Sequence, residues 1–359
     1  MASKIDFSTL TLNTDEARET SQVVFEQTYA RPEIAQVHGV MTGVEMDRYI
    51  PILGQFGLVG KNDPGSCGVN TETGQIPVSQ KTWTPKLISF RLPHCQDDVP
   101  DLLKFWKKDR IAKKTWESVD NEMMAFINDR ALDATVQSIL RIADFGDTDA
   151  SPVGDGAGNE LLTVGTTKTY FNMLSGIWKQ IFTDQALATP LTYRYTITEN
   201  AGGDKATQLA LAADRALLAF RAMYDNIDPR AFESGQLVFQ VTRSLMSNWQ
   251  SFLEDKSLAF MLERAEDGST KWTYRGIPII VRHDWERIIR TYHDLSTTYY
   301  LPHRAILSDI NNIPIGTSDE ESMTSLDSFY DKVTKSWYLD VAYKLDAKIL
   351  LEYALASAY

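Results

Sequence analysis

The side chains able to do chemistry in these 359 residues are few and scattered. The five histidines are His38, His94, His283, His293 and His303. No two have the three- or four-residue spacing that puts a pair of imidazoles on one helical turn around zinc. His94 adjoins Cys95, and neighbouring side chains point to different faces. His283-Asp284 and His293-Asp294 recur at ten residues, near three helical turns, and would share a face on one unbroken helix. As a set, these histidines read as surface or hydrogen-bonded residues. Asp144, Asp147, Asp149 and then Asp155 crowd a Gly-rich stretch as the acids of a calcium loop do. The central glycine and closing glutamate of an EF-hand are missing, so a solvated connector, or at most an adventitious cation site, is the reading. Gly154-Asp155-Gly156-Ala157-Gly158 starts like a dinucleotide fingerprint but lacks the preceding strand and the following helix. There is no Walker A run and no Gly-x-Ser-x-Gly elbow. The residues therefore name no catalytic, cofactor-binding or metal-binding side chain, and no enzyme. An enzyme whose histidines and carboxylates converge only in three dimensions is the rival expectation.

Charge narrows the choice further. Forty-eight acids against thirty-six Lys and Arg leave a formal charge of -12, which disfavours a protein that grips nucleic acid through its phosphates. Against that background stands a basic cluster of Lys104, Lys107, Lys108, Arg110, Lys113 and Lys114, interleaved with Leu102, Leu103, Phe105 and Trp106. It fits a solvated helix face, a contact with a partner subunit, or nonspecific DNA contact. Cys67 and Cys95 are too few for a disulfide framework. The start has neither a basic head nor an apolar run, and charge interrupts every apolar stretch short of a membrane span, so cytoplasmic synthesis is expected. With 43% hydrophobic and 11% aromatic residues, a sizeable core is expected, and disorder throughout is excluded.

The elements that must position these residues follow from pattern. A short helix is expected over 16–27, in an otherwise irregular start. Over 51–95, two strand-like arms, 52–59 and 83–92, flank the dense turn 61–68 and read as a long hairpin. Apolar residues from Met123 to Ile142 recur at three and four, predicting a helix over about 119–142, roughly 35 Å long. Further helices are expected over 170–185, 204–224 and 246–261. Strands are expected over 191–198, 236–243, 272–281, 304–309, 325–331 and 336–345, with 347–358 either a short helix or more sheet. The whole is α+β, without repeats or strict strand–helix alternation.

Three strings add a resemblance. They are Leu237-Val238-Phe239-Gln240-Val241-Thr242-Arg243 before a helix, Tyr274-Arg275-Gly276-Ile277-Pro278-Ile279, and His303-Arg304-Ala305-Ile306-Leu307-Ser308-Asp309 with Asn311-Asn312-Ile313-Pro314-Ile315-Gly316. With the order of elements, they resemble the major capsid protein of tailed bacteriophages, the Hong Kong 97-like fold. The residue-level match spans roughly 236–345. The resemblance implies an N-terminal arm over 1–50, an extended loop over 51–95 and a peripheral domain over 96–242 with a spine helix near 119–142. It implies an axial domain over 243–305 and a return to the peripheral domain over 306–359. It further implies a non-enzymatic shell around double-stranded DNA, built from hexamers and pentamers of this chain in the host bacterial cytoplasm. Portal, scaffolding and cement proteins would be partners, DNA a nonspecific neighbour, and no membrane or cofactor is implied. An encapsulin-like compartment of the same fold is the alternative. The family's scaffolding preface is missing, which implies a separate scaffolding protein or a mature chain. Lys61 and Lys81 lie where some relatives form an inter-subunit cross-link, with neither assigned. Physically, an arm and a loop with little private core must take their order from neighbouring copies.

Overall fold

The computed structural model describes residues 32–45, 47, 49–53, 78–95, 119–153, 161–256, 263–264, 270–317, 324–331 and 336–359. The helix expected over 16–27, the turn 61–68, the basic cluster 104–114, the glycines of 154–158, Asp155, Lys61 and Cys67 lie outside the described residues. In chain order, α1 (Pro32–Ala35) and β1 (Val40–Met41) lead to β2 (Tyr49–Leu53), β3 (Val78–Thr82) and β4 (Lys86–Cys95). The long helix α2 (Val119–Phe145) follows, 27 residues and about 40 Å at 1.5 Å per residue. Ala131, Leu132, Val136, Ile139, Leu140, Ile142 and Ala143 are buried along it, so its described half is a covered strut. A pair of two-residue strands, β5 (Ser151–Pro152) and β6 (Leu161–Leu162), comes before α3 (Ile177–Gln185) and β7 (Tyr193–Tyr195). Next are α4 (Lys205–Leu209), α5 (Arg215–Asn226), β8 (Leu237–Thr242) and α6 (Arg243–Asp255). The short β9 (Glu263–Arg264), β10 (Thr270–Lys271) and β11 (Thr273–Tyr274) precede β12 (Ile277–Arg282) and α7 (His283–Tyr292). The chain finishes with β13 (Ala305–Asp309), β14 (Ile315–Gly316), β15 (Thr324–Asp331), β16 (Ser336–Ala347) and β17 (Leu355–Ala358).

A six-stranded mixed sheet, β11-β12-β8-β13-β17-β7, divides two apolar cores. Side chains alternate across it with the two-residue period of a strand: Ile306 faces the first core, Ala305 and Leu307 the second. The first core gathers α2, α3, α7 and the C-terminal half of β16 around Trp178 and Trp285. The second gathers α5 and α6 around Phe220 and Trp249. In the other large sheet β16 is the hub. It pairs antiparallel with β4 from Ser336 to Leu345 on one side, and with β15 and then β14 on the other.

Several expected boundaries move, each for a tertiary reason. The hairpin over 51–95 re-pairs: β2 joins β3, Tyr49 opposite Thr82, and the arm read over 83–92 leaves as β4 to join β16. The expected helix over 170–185 begins only at Ile177, because the chain first crosses α2's end with Gly176 N donating to Gly146 O at 2.7 Å. The expected helix over 204–224 is broken between Leu209 and Arg215, where Glu199 accepts from Ala212 N and Asn248 donates to Ala212 O. Competing side-chain bonds of this kind replace helix bonds. The helix expected over 246–261 sits earlier, from Arg243 to Asp255. Strand 191–198 shortens to β7, and 272–281 is a hairpin turning at Arg275 and Gly276, whose φ angles are 51° and 80°. Two left-handed residues in a row suit a two-residue hairpin turn. Of the two options for the last residues, 355–358 add a strand between β13 and β7.

Candidate functional site

The most concentrated polar chemistry lies where α1, α2, β8 and the β12–α7 junction meet. β12 delivers Arg282 to the interior, and the helix that starts beside it brings Asp284 and Trp285. The Arg282 guanidinium pairs with Asp144 near the end of α2, bonds Asp284 at 2.9 and 2.6 Å, and donates to Gln240 Oε1 at 2.7 Å. It lies over the Trp285 ring at 4.7 Å, and Trp285 Nε1 donates to Asp144 Oδ2 at 2.8 Å. Gln240 Nε2 donates to Val37 O at 2.6 Å. His38 faces Ile313 O through Nδ1 at 3.0 Å. Its Nε2 stands 3.3 Å from Asp144 Oδ1. Burial alone would raise the Asp144 pKa, but Arg282 and His38 hold it down to about 2. Burial would lower that of Arg282, and Asp144 and Asp284 raise it above the ordinary arginine value. These groups are committed to one another, so the node clamps four segments together and has no open position for a reactant.

The other chemistry-bearing residues are likewise tied. His303 shares its Nδ1 with Ser244 Oγ at 2.7 Å, the contact a nucleophile and its base would make. Its Nε2 sits on Gln208 O at 2.7 Å, and Thr242 Oγ1 is 3.1 Å from the serine hydroxyl. The adjoining cavity, lined by Leu209, Glu286 and Tyr299, has a volume of about 10 Å³ and holds roughly one water. That pair fastens the β8–α6 corner to β13. His293 is buried between Phe145, Phe171 and Tyr300 with Nδ1 on Leu161 O at 3.1 Å, whereas His283 is exposed. The two do not share a face, since ten residues are about 2.8 helical turns and His293 already lies past α7. His94 and Cys95 fall in β4 opposite Trp337 and Ser336. Asp147 and Asp149 close on the Lys179 ammonium at 2.9 and 3.0 Å, so that part of the acidic cluster grips a cation from the chain itself. Among the described residues, no three of His, Cys, Asp and Glu group to hold a metal, and no helix is long and apolar enough to cross a membrane.

What remains unusual is a pair of strands that belongs to neither large sheet. Among the described residues, β2 and β3 form a ribbon of their own with no third strand. Its tie to the body is Lys81, which bonds Ile349 O and pairs with Glu352. Where β3 passes to β4, Trp83 is buried flat against Gly316 of β14. Beyond it Leu87 is 68% exposed, and Arg91 meets Asp340 across the β4–β16 pair at 2.5 Å. Tyr49 at the start of the ribbon is 59% exposed. The node escaped the sequence reading because its partners are distant in the chain, Arg282 and Asp144 being 138 residues apart. The one available signal was that Gln240 interrupts an otherwise apolar strand and Arg282 ends another.

No family model matches the chain, and no curated protein matches it. Solved structures do. The capsid of an empty GTA particle, computed with C5 symmetry, is similar over 90% of this chain and 88% of that one, at 10% identity and a TM-score of 0.50. The satellite phage P4 procapsid including size determination (Sid) protein is similar over 96% and 98%, at 12% identity and a TM-score of 0.49. Gordonia phage Cozz is similar over 90% and 84%, at 11% identity and 0.49. The chain has the Hong Kong 97-like capsid fold, an α+β architecture, and the likeness to the GTA capsid carries that statement.

Proposed function

We propose that the chain is the major capsid protein of a tailed bacteriophage, assembling as hexamers and pentamers into an icosahedral shell around double-stranded DNA. The observation that carries the reading is the β2–β3 ribbon: two strands with no third among the described residues, in a chain with a capsid fold. Two-stranded ribbons are marginal in water on their own, and neighbouring copies would complete this one. In this reading 1–50 is the arm, 51–95 the extended loop, 96–242 the peripheral domain with α2 as spine, 243–305 the axial domain and 306–359 the return. Portal, scaffolding and cement proteins are its partners, packaged DNA a nonspecific neighbour, and the virion its destination after assembly in the host bacterial cytoplasm. In this reading its work is mechanical, and the buried node serves it by locking distant segments together.

The test is electron microscopy of the assembly purified from cells, followed by analysis of what it encloses. Closed shells holding nuclease-protected double-stranded DNA are expected. Shells filled with protein would replace the genome container with an encapsulin-like compartment. A compact monomer or dimer that forms no particles even at high concentration would overturn the shell altogether.

A further inference from the structure

Arg141, near the end of α2, is a half-buried cation with no counter-charge among the described residues. Elsewhere in the molecule Arg282, Lys179 and Arg215 each meet carboxylates. Arg141 instead donates through Nη2 to Ser138 Oγ at 3.1 Å, and its guanidinium lies 5.8 and 5.7 Å from the ring centres of Tyr170 and Phe171. Its Nε is buried without a hydrogen-bond partner, and no carboxylate among the described residues pairs with it. Burial lowers its pKa and only tyrosines push back, so the surroundings disfavour the charge. Ser138 accepts from Tyr343 as well, at 2.9 Å, which leaves its own proton to donate. Thr135 spends its proton on Ala131 O one turn earlier, a bond not found for Ser138. Donors therefore converge here on a single hydroxyl oxygen, with no carboxylate among the described residues, beside a Tyr170 ring that is 57% exposed.

We infer that this recess receives a carboxylate from a second copy of the chain, one side chain docking on Arg141 and Ser138. A desolvated guanidinium prefers a bidentate oxyanion, and each copy brings 48 acids against 36 Lys and Arg. A DNA backbone fits less well, since tracking phosphates takes a row of cations and this is a single point. The inference rests on the shell reading.

The experiment compares wild type, Arg141→Gln and Arg141→Lys for the concentration at which subunits assemble, and for thermal unfolding of unassembled subunits. Arg141→Gln is expected to raise the assembly threshold about tenfold or more, the worth of one charged hydrogen bond per contact, and to reduce its salt dependence. Arg141→Lys falls between the two. The unassembled glutamine variant unfolds at the wild-type temperature or above it, because an unpaired half-buried charge has gone. An unchanged threshold would overturn the inference while leaving the shell intact. Destabilised unassembled Arg141→Gln would place the anion within the same chain and overturn it too. If wild type never assembles, the shell reading fails first and this contact with it.

Discussion

Asp144 keeps its charge away from water only because Arg282, Trp285 and His38 all turn toward it. Breaking a buried pair from one side leaves the other charge uncompensated, at about 3–5 kcal/mol. Arg282→Met is therefore expected to lose about that much in urea unfolding, while adding Asp144→Leu, which removes both buried charges, recovers most of it. The same residues set the response to acid. Burial, then the Arg304 charge, holds the His293 pKa down to about 3 against the Leu161 carbonyl. In the unfolded chain that imidazole takes a proton near 6.5, so its contribution to stability is full above 6.5 and is lost as pH falls from there toward 3. His303, lowered chiefly by burial, acts in the same direction. Asp144 is depressed from 3.8 to about 2, so its share is full above 3.8 and goes as pH falls through 2. The first decline below neutrality thus belongs to the histidines. His293→Gln is expected to flatten it by roughly 1.4 kcal/mol per pH unit, read from urea midpoints across the range. An unchanged slope would mean that the buried imidazole already accepts a proton in the fold.

Elements meet at points where one backbone must lie on another. At the α2–α3 crossing, a Cβ on Gly176 would sit 2.7 Å from Ala143 O and 2.8 Å from Gly146 N, both main-chain atoms that cannot swing aside. Gly176→Ala is expected to cost about 2 kcal/mol or more through forced backbone shifts. Gly203→Ala, with nothing within 4 Å of its Cβ position, stays within about 0.5 kcal/mol. Equal effects in denaturant melts would refute the crossing as the cause. This crossing also explains which elements were legible. α2 was readable because its apolar residues carry the helical period for many turns, and β16 because Leu339, Val341, Tyr343 and Leu345 alternate. The start of α3 and the break before α5 were not readable. Both are set by partners remote in sequence: the Gly146–Gly176 contact, and Glu199 and Asn248 drawing on Ala212.

For the molecule as a whole, the strings around Phe239, Ile277 and Ile306 were informative because they build the sheet between the two cores, where burial on both faces restricts the residue types. The chemistry of the node was opaque, since no local pattern links residues brought together by four separate segments. The segment 51–95 was half legible. Composition suggested little private core, yet Trp83 and Ile88 are buried within the chain, and the choice of strand partners depends on β16, whose Tyr343 and Leu345 are buried opposite Ile88 and Lys86, while among the described residues β2 and β3 pair only with each other. That pairing leads to a measurement of where stability resides. Amides in β8 and β13 are bonded on both sides within one subunit and open only with the global free energy. The ribbon has a single ladder and the Lys81 tether, so in unassembled subunits its amides are expected to exchange close to the open-chain limit. In assembled particles exchange over 49–53 and 78–82 slows by about a hundredfold or more, as partner strands and side chains add to the ladder. β8 and β13 exchange alike in both states and serve as the internal reference. If the ribbon were already protected in the separate subunit, it would draw its order from its own chain, and the need for neighbours that underlies the shell would be gone.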